Sequence, residues 1–192
     1  MNSIVLASAS NARRLIFETM GIPFVIDPAS IDEQAIRHPD HGEQARLIAA
    51  AKGELVAVRH PEALVIAADT FTVLNGETLE KPADLEEARD MLRRQSGQKF
   101  HVYTGYWFKD GKTGRVRSTV VKVGVKMRSL RPSEIERYVS TYPVCNYAAA
   151  HSESMIEGQA FIETLEGSAM GCFYGLPLEL VSEDLQISGM SW

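Results

Sequence analysis

Cysteine is scarce in this chain. Only Cys145 and Cys172 occur, far apart and with no CxxC pair, which excludes a disulfide scaffold and reads as the reduced thiols of a cytoplasmic protein. The five histidines show no HxxxH or similar ligand spacing, so a zinc centre is not expected. Positive charge is not in excess: Lys and Arg number 20 against 25 Asp and Glu, a net charge of -5, so a nucleic-acid-binding surface is not expected. No apolar run approaches the roughly 20 residues that cross a bilayer, which argues against a membrane partner. The opening Met1-Asn2-Ser3-Ile4-Val5-Leu6 lacks the basic segment and apolar core of a signal peptide. There is no internal repeat, low-complexity tract or linker. What remains is an ordinary globular composition, 45% hydrophobic and 23% charged over 192 residues. That length fits one domain, residues 1–192, or two small lobes around one cleft.

The pattern along the chain predicts an α/β fold. Ile4 to Ser8 reads as a buried strand, then a polar turn leads into a helix ending near Met20, with Gly21 at its C′ position. Phe24-Val25-Ile26 is a second strand and Ile31-Asp32-Glu33 an acidic loop. A helical, alanine-rich stretch from Gly42 to about His60 stops before Pro61. Leu64-Val65-Ile66-Ala67-Ala68 is continuously apolar, a strand expected to be covered on both faces and to end at Asp69-Thr70. Phe71–Leu74 and Thr78-Leu79 flank Asn75-Gly76, the strongest short hairpin signal. A helix from Asp84 to Arg94, long strands over Lys99–Phe108 and Arg115–Met127, and a short helix from Pro132 to about Ser140 follow. A loop covers Cys145–Glu157, then come a strand over Ala160–Leu165 and a helix over Leu178–Leu185. The order predicts a mixed sheet with helices on both sides.

Four constellations could carry chemistry. Asp69 falls where open α/β sheets bind ligands, beyond the carboxyl end of a strand. Ser8-Ala9-Ser10-Asn11-Ala12-Arg13-Arg14 brings free helix N-terminal N–H groups together with two arginines that oppose the helix dipole. A phosphate between them would rationalise that placement. Lys52 shares a helical stripe with Ala45, Ile48 and Leu55, and a lysine there must either snorkel or meet an anion. Lys81 precedes Pro82, which holds it extended. Glu33 and Asp69 could offer two carboxylate oxygens to Mg²⁺, which takes a few carboxylates plus phosphate and water. Asp32 and Glu33 point apart in an extended loop, so only Glu33 is favoured. These residues point to metal-assisted chemistry on a phosphorylated small molecule.

Taken in order, the pieces resemble the Maf family of nucleoside triphosphate pyrophosphatases over nearly the whole chain. Leu6-Ala7-Ser8-Ala9-Ser10 with Arg13-Arg14 is similar to that family's opening signature. Ile31-Asp32-Glu33, Lys52, Ala68-Asp69-Thr70, Glu80-Lys81-Pro82, Ser96-Gly97 and Tyr103-Thr104-Gly105 match in spacing. Phe161 to Glu166-Gly167, with Gly175-Leu176-Pro177-Leu178, matches its C-terminal signature. The resemblance implies an elongated mixed sheet with a central nucleotide cleft, an architecture shared with the inosine triphosphate pyrophosphatases. It also implies hydrolysis of non-standard or modified nucleoside triphosphates to a monophosphate and pyrophosphate with Mg²⁺ or Mn²⁺, and it suggests a homodimer. Asp69 would be the proton acceptor for water or a metal ligand, and Glu33 a metal ligand. Ser8, Ser10, Arg13, Lys52 and Lys81 would bind phosphate.

The specificity positions are mixed. Ala12 replaces both the arginine of the dTTP/UTP branch and the aromatic of the 7-methyl-GTP branch. Thr70 resembles the former and Glu153 the latter, with Ser154 the other candidate for that alignment position. Tyr147 stands where the pyrimidine branch has lysine. The base is therefore open between the two branches. The alternative function, kept alive by Ala12 and Tyr147, is a nucleotide-binding regulator of cell division or septum formation without turnover.

Overall fold

The computed structural model describes residues 3–152 and 154–190. Strands β1 (Ile4–Leu6), β2 (Phe24–Ile26), β3 (Leu64–Leu74), β4 (Glu77–Leu79), β5 (Lys99–Asp110), β6 (Val116–Met127) and β7 (Ile162–Glu166) form one mixed sheet. Its order is β2-β1-β3-β5-β6-β7, with β4 paired to β3. β1 is parallel to β2 and β3, while β3–β4 and β6–β7 are antiparallel. The helices are α1 (Asn11–Met20), α2 (His41–Arg59), α3 (Leu85–Gln95), α4 (Pro132–Thr141), α5 (Ile156–Gln159), α6 (Ala169–Phe173) and α7 (Leu178–Ile187). The expected mixed α/β sheet is thus the observed one.

The chain divides into two compact units. The first comprises residues 1–70, 104–121 and 170–192. Here strand alternation sorts every side chain. Ile4, Leu6, Leu64, Ile66 and Ala68 face a core with Ile16 and Phe17 of α1, Val181 and Leu185 of α7, and Tyr106 and Phe108 of β5. Val5, Ala7, Val65 and Ala67 face the opposite way, into a core with Ala49, Val56 and Ala57 of α2 and Trp107 of β5. Strands buried on both faces read as unbroken apolar runs, which is how Leu64–Ala68 reads. Close helix–sheet approach needs glycine on both sides. A Cβ on Gly53 would meet the Trp107 ring at 2.0 Å, and one on Gly105 would meet the Ala45 carbonyl oxygen at 2.1 Å.

The second unit comprises residues 71–103 and 122–169. It holds the predicted hairpin, whose turn residues Asn75 and Gly76 have φ of 51° and 82°, as a type I′ turn requires. Asp84 caps α3 as expected, its carboxylate accepting from the Glu86 and Glu87 N–H groups at 2.9 Å.

The structure departs from the sequence reading at four places. β3 does not end at Asp69 but runs on to Leu74, because Thr72-Val73-Leu74 pairs with β4. Leu55 is exposed, and the buried stripe of α2 runs through Ala45, Ile48, Ala49, Gly53 and Val56 instead. The segment 145–157, expected as a loop, carries among its described residues short 3-10 turns and the start of α5. Short α6 had no periodic signal long enough to announce it.

Candidate functional site

β1 stops at Leu6, where it pairs with Ile66, while its neighbour β3 continues past that point. Because α1 and α2 cover opposite faces, the loops leaving β1 and β2 diverge at their carboxyl ends, the arrangement at which open α/β sheets take ligands. Asp69 lies there, beyond the end of β1 rather than the end of its own strand.

Alternation along β3 continues into the site. Asp69 has the parity of Val65 and Ala67, so it faces α2. There Lys52 Nζ donates to Asp69 Oδ1 at 2.8 Å and also lies 2.8 Å from Glu33 Oε1. Of the two outcomes open to Lys52, snorkelling or an anion, the anion prevails. Its side chain is only 12% exposed and that of Asp69 11%, whereas Glu33 is half exposed. Asp32 is used locally: its Oδ1 accepts from the Gln34 and Ala35 N–H groups and starts the 3-10 turn Glu33–Ala35. That leaves Glu33 as the carboxylate of this loop turned toward Lys52.

Thr70 has the other parity and faces α1. Its hydroxyl oxygen accepts from Arg13 Nη2 at 3.1 Å. Arg13 Nη1 donates to Ser8 Oγ at 3.1 Å and Nε to the Gly175 carbonyl at 2.8 Å. Ser10 caps α1, its Oγ accepting from the Arg13 N–H. Thr70 Oγ1 lies 3.1 Å from Thr104 Oγ1, and Thr104 donates to the Gly171 carbonyl at 2.9 Å. Arg13 is thus a buried guanidinium held by neutral oxygens. Burial lowers its affinity for its proton, and the charges of Asp69 and Glu33 oppose that shift. Three of its five N–H groups are accounted for by these bonds, leaving donors for an anion. Arg14 does not join it; it pairs with Glu18 one turn along the exposed face of α1.

Six of the sequence-selected residues therefore converge in the first unit: Ser8, Ser10, Arg13, Glu33, Lys52 and Asp69. Thr70 holds Arg13, and Ala12 is half-buried beside it in α1. Lys81 is exposed in the second unit, between buried Leu79 and Pro82. Glu153 lies outside the described residues. Thr104 and Gly175 enter the sequence reading only as signature residues, yet the Gly175 carbonyl accepts from Arg13 and the Thr104 hydroxyl meets that of Thr70, which holds Arg13. A Cβ on Gly175, at φ 63°, would meet Thr70 Oγ1 at 2.7 Å and Arg13 Nη2 at 3.1 Å.

Among the described residues no group of three His, Cys, Asp or Glu side chains could hold a metal ion. Two carboxylates converging on one cation, Glu33 and Asp69, do fit Mg²⁺ or Mn²⁺ of the kind completed by substrate phosphate and water.

A family profile described as Maf-like protein matches residues 3–187. The chain belongs to the Maf-like family. This Maf-like protein is 36% identical over 186 residues to a dTTP/UTP pyrophosphatase of Syntrophus aciditrophicus, covering 97% of the chain and 90% of that relative. It is 35% identical over 190 residues to a 7-methyl-GTP pyrophosphatase of Aromatoleum aromaticum, covering 98% and 97%. Among solved structures, a nucleoside-triphosphatase/dITP/XTP pyrophosphatase of Mycobacterium abscessus aligns over 97% of both chains at 8% identity, with a TM-score of 0.43. That last likeness is too loose to bear on the site of the Maf-like protein.

Proposed function

We propose that this Maf-like protein is a nucleoside triphosphate pyrophosphatase, cleaving between the α- and β-phosphates to release a nucleoside monophosphate and pyrophosphate. The observation that carries the reading is the Lys52–Asp69–Glu33 cluster on one side of β3 with the Arg13–Thr70 seat on the other, both at the end of β1. Relatives named for this activity toward pyrimidine and methylated guanine nucleotides support it.

In this reading Arg13, Lys52 and Lys81 bind the phosphates. The Ser8–Ser10 turn adds hydroxyl and backbone donors at the N-terminus of α1. Arg13 is pre-set by Ser8, Thr70 and Gly175, so it need not reorganise as charge builds on the departing pyrophosphate. Asp69 orients the attacking water and accepts its proton. Glu33 and Asp69 would hold the divalent cation, which would supply charge neutralisation at the phosphoryl oxygens. The Thr70 hydroxyl already accepts from Arg13 and meets Thr104, so its influence on the choice of base runs through the position of Arg13. Relatives of near-equal identity differ in their named base, and the proposal stops at nucleoside triphosphates.

The test is product analysis over a panel of dTTP, UTP, CTP, GTP and 7-methyl-GTP with Mg²⁺, Mn²⁺ or a chelator. Equimolar monophosphate and pyrophosphate, lost on chelation, is expected. Orthophosphate as the first product would refute the bond assignment. Nucleotide binding without turnover across the panel would favour the regulator reading instead.

A further inference from the structure

The proposed metal ligands share a third partner whose role in phosphate binding does not explain its position. Lys52 Nζ stands 2.8 Å from both Glu33 Oε1 and Asp69 Oδ1, so one ammonium spans the two carboxylates that a divalent cation would span. We infer that Lys52 is a built-in competitor of the metal ion, and that the anionic substrate relieves the competition by drawing the ammonium onto its phosphates. The inference rests on the proposal that Glu33 and Asp69 are the metal ligands.

Three observations support it. The first is shielding: the Lys52 and Asp69 side chains are almost nine-tenths buried, so their attraction is weakened little by water or salt. A metal ion must therefore overcome a real interaction to take Asp69 Oδ1. The second is charge. Lys52 and Arg13 balance Glu33 and Asp69, and the charges of Asp69 and Glu33 are felt at buried Arg13. A divalent cation arriving alone would leave this enclosed group with two surplus positive charges, which is unfavourable where water is scarce. A triphosphate brings the missing negative charge. Metal and nucleotide should then strengthen each other's binding, by the same factor in both directions.

The third is mobility. Arg13 is pinned by Ser8, Thr70 and Gly175, whereas the contacts of Lys52 are to the two carboxylates alone among its described bonds. A lysine is a point charge on a flexible stem and can swing from carboxylate to phosphate; a guanidinium forked onto carboxylates cannot do so as readily. Arg13 is the fixed cation of the site and Lys52 the one that moves.

The experiment measures Mn²⁺ binding to the full chain without nucleotide, by the electron paramagnetic resonance of free Mn²⁺. Lys52→Met should bind Mn²⁺ about tenfold more tightly than the wild type, because both carboxylates are released. Lys52→Arg keeps the charge and the carboxylate pairing, and should bind Mn²⁺ no better than the wild type. It serves as the readable variant should Lys52→Met fail to fold. Unchanged or weaker binding by folded Lys52→Met, or tighter binding by Lys52→Arg, would overturn the competition. Asp69→Asn separates the two layers of the argument. If it leaves Mn²⁺ binding unaltered, the ligand assignment itself is wrong. If it abolishes Mn²⁺ binding while Lys52→Met gains nothing, the ligands stand and only the competition is lost.

Discussion

Asp69 and Thr70 are chain neighbours that serve opposite faces of one strand. Alternation sends Asp69 to Lys52 and Thr70 to Arg13, so a single peptide bond separates the two halves of the candidate site. Replacing Asp69 with Asn keeps the volume and removes the carboxylate. Pyrophosphate release should fall by about 10²–10⁴-fold, the usual worth of a positioned general base, with an unchanged circular dichroism spectrum. Turnover within a few-fold of wild type would strip Asp69 of its role. Gly175 carries a different prediction. With φ at 63° and no room for a Cβ beside Thr70 and Arg13, Gly175→Ala should destabilise the fold by about 1–2 kcal/mol. Its KM for nucleotide should rise more than its kcat falls, because the seat of a binding group is disturbed and not the group that meets water. Urea denaturation and steady-state kinetics on the same preparation would check both.

At the scale of elements, much was readable because local signals agreed with packing. Asp84 before α3, Gly21 after α1 and Asn75-Gly76 in the hairpin are where residue chemistry alone predicts them. The end of β3 was not readable. A buried acid after five apolar residues looks like a strand end, and what prolongs the strand is its pairing with β4, which no single segment announces. The two glycines of α2 and the hairpin separate conformational from steric cost. Alanine at Gly53 would gain about 1 kcal/mol of helix propensity, yet its Cβ would strike the buried Trp107 ring. Overpacking a core costs about 1–3 kcal/mol, so Gly53→Ala should be net destabilising. It should also lower activity, since Lys52 is the adjacent residue. At Gly76 a Cβ meets nothing within 4 Å, so Gly76→Ala should cost only about 1 kcal/mol of stability, through backbone strain, and keep full activity. A stabilised Gly53→Ala, or a loss of activity at Gly76 alone, would contradict this division.

Over the whole molecule, no linker separates the two compact units among the described residues. The boundaries between the two compact units fall inside β3, β5 and β6 and at the start of α6, so no composition shift marks them. The candidate site was legible through spacing, but the role of Thr104 and Gly175 as acceptors was not. The Gly175 carbonyl reaches Arg13 and the Thr104 hydroxyl reaches Thr70, and only the folded chain brings these together. Acid stability is likewise a property of the folded chain. Asp27 follows β2 and binds Arg59 and His60 at the end of α2, closing that helix onto the sheet. Hydrogen bonds from Arg59, then His60, hold its carboxyl at about 2, below the ordinary 3.8. A depressed folded-state value means the folded chain keeps the proton off better than the unfolded chain does. The contribution is therefore complete above pH 3.8, declines as pH falls, and is gone below about 2. Glu134, lowered chiefly by its bonds from Arg128, acts in the same direction in the second unit. The urea midpoint of Asp27→Asn should accordingly lie below that of the wild type at pH 7. The two curves should converge as pH approaches 2, with Glu134 contributing equally to both proteins. A gap that stays constant across this range would mean that Asp27 stabilises the end of α2 by geometry rather than by charge.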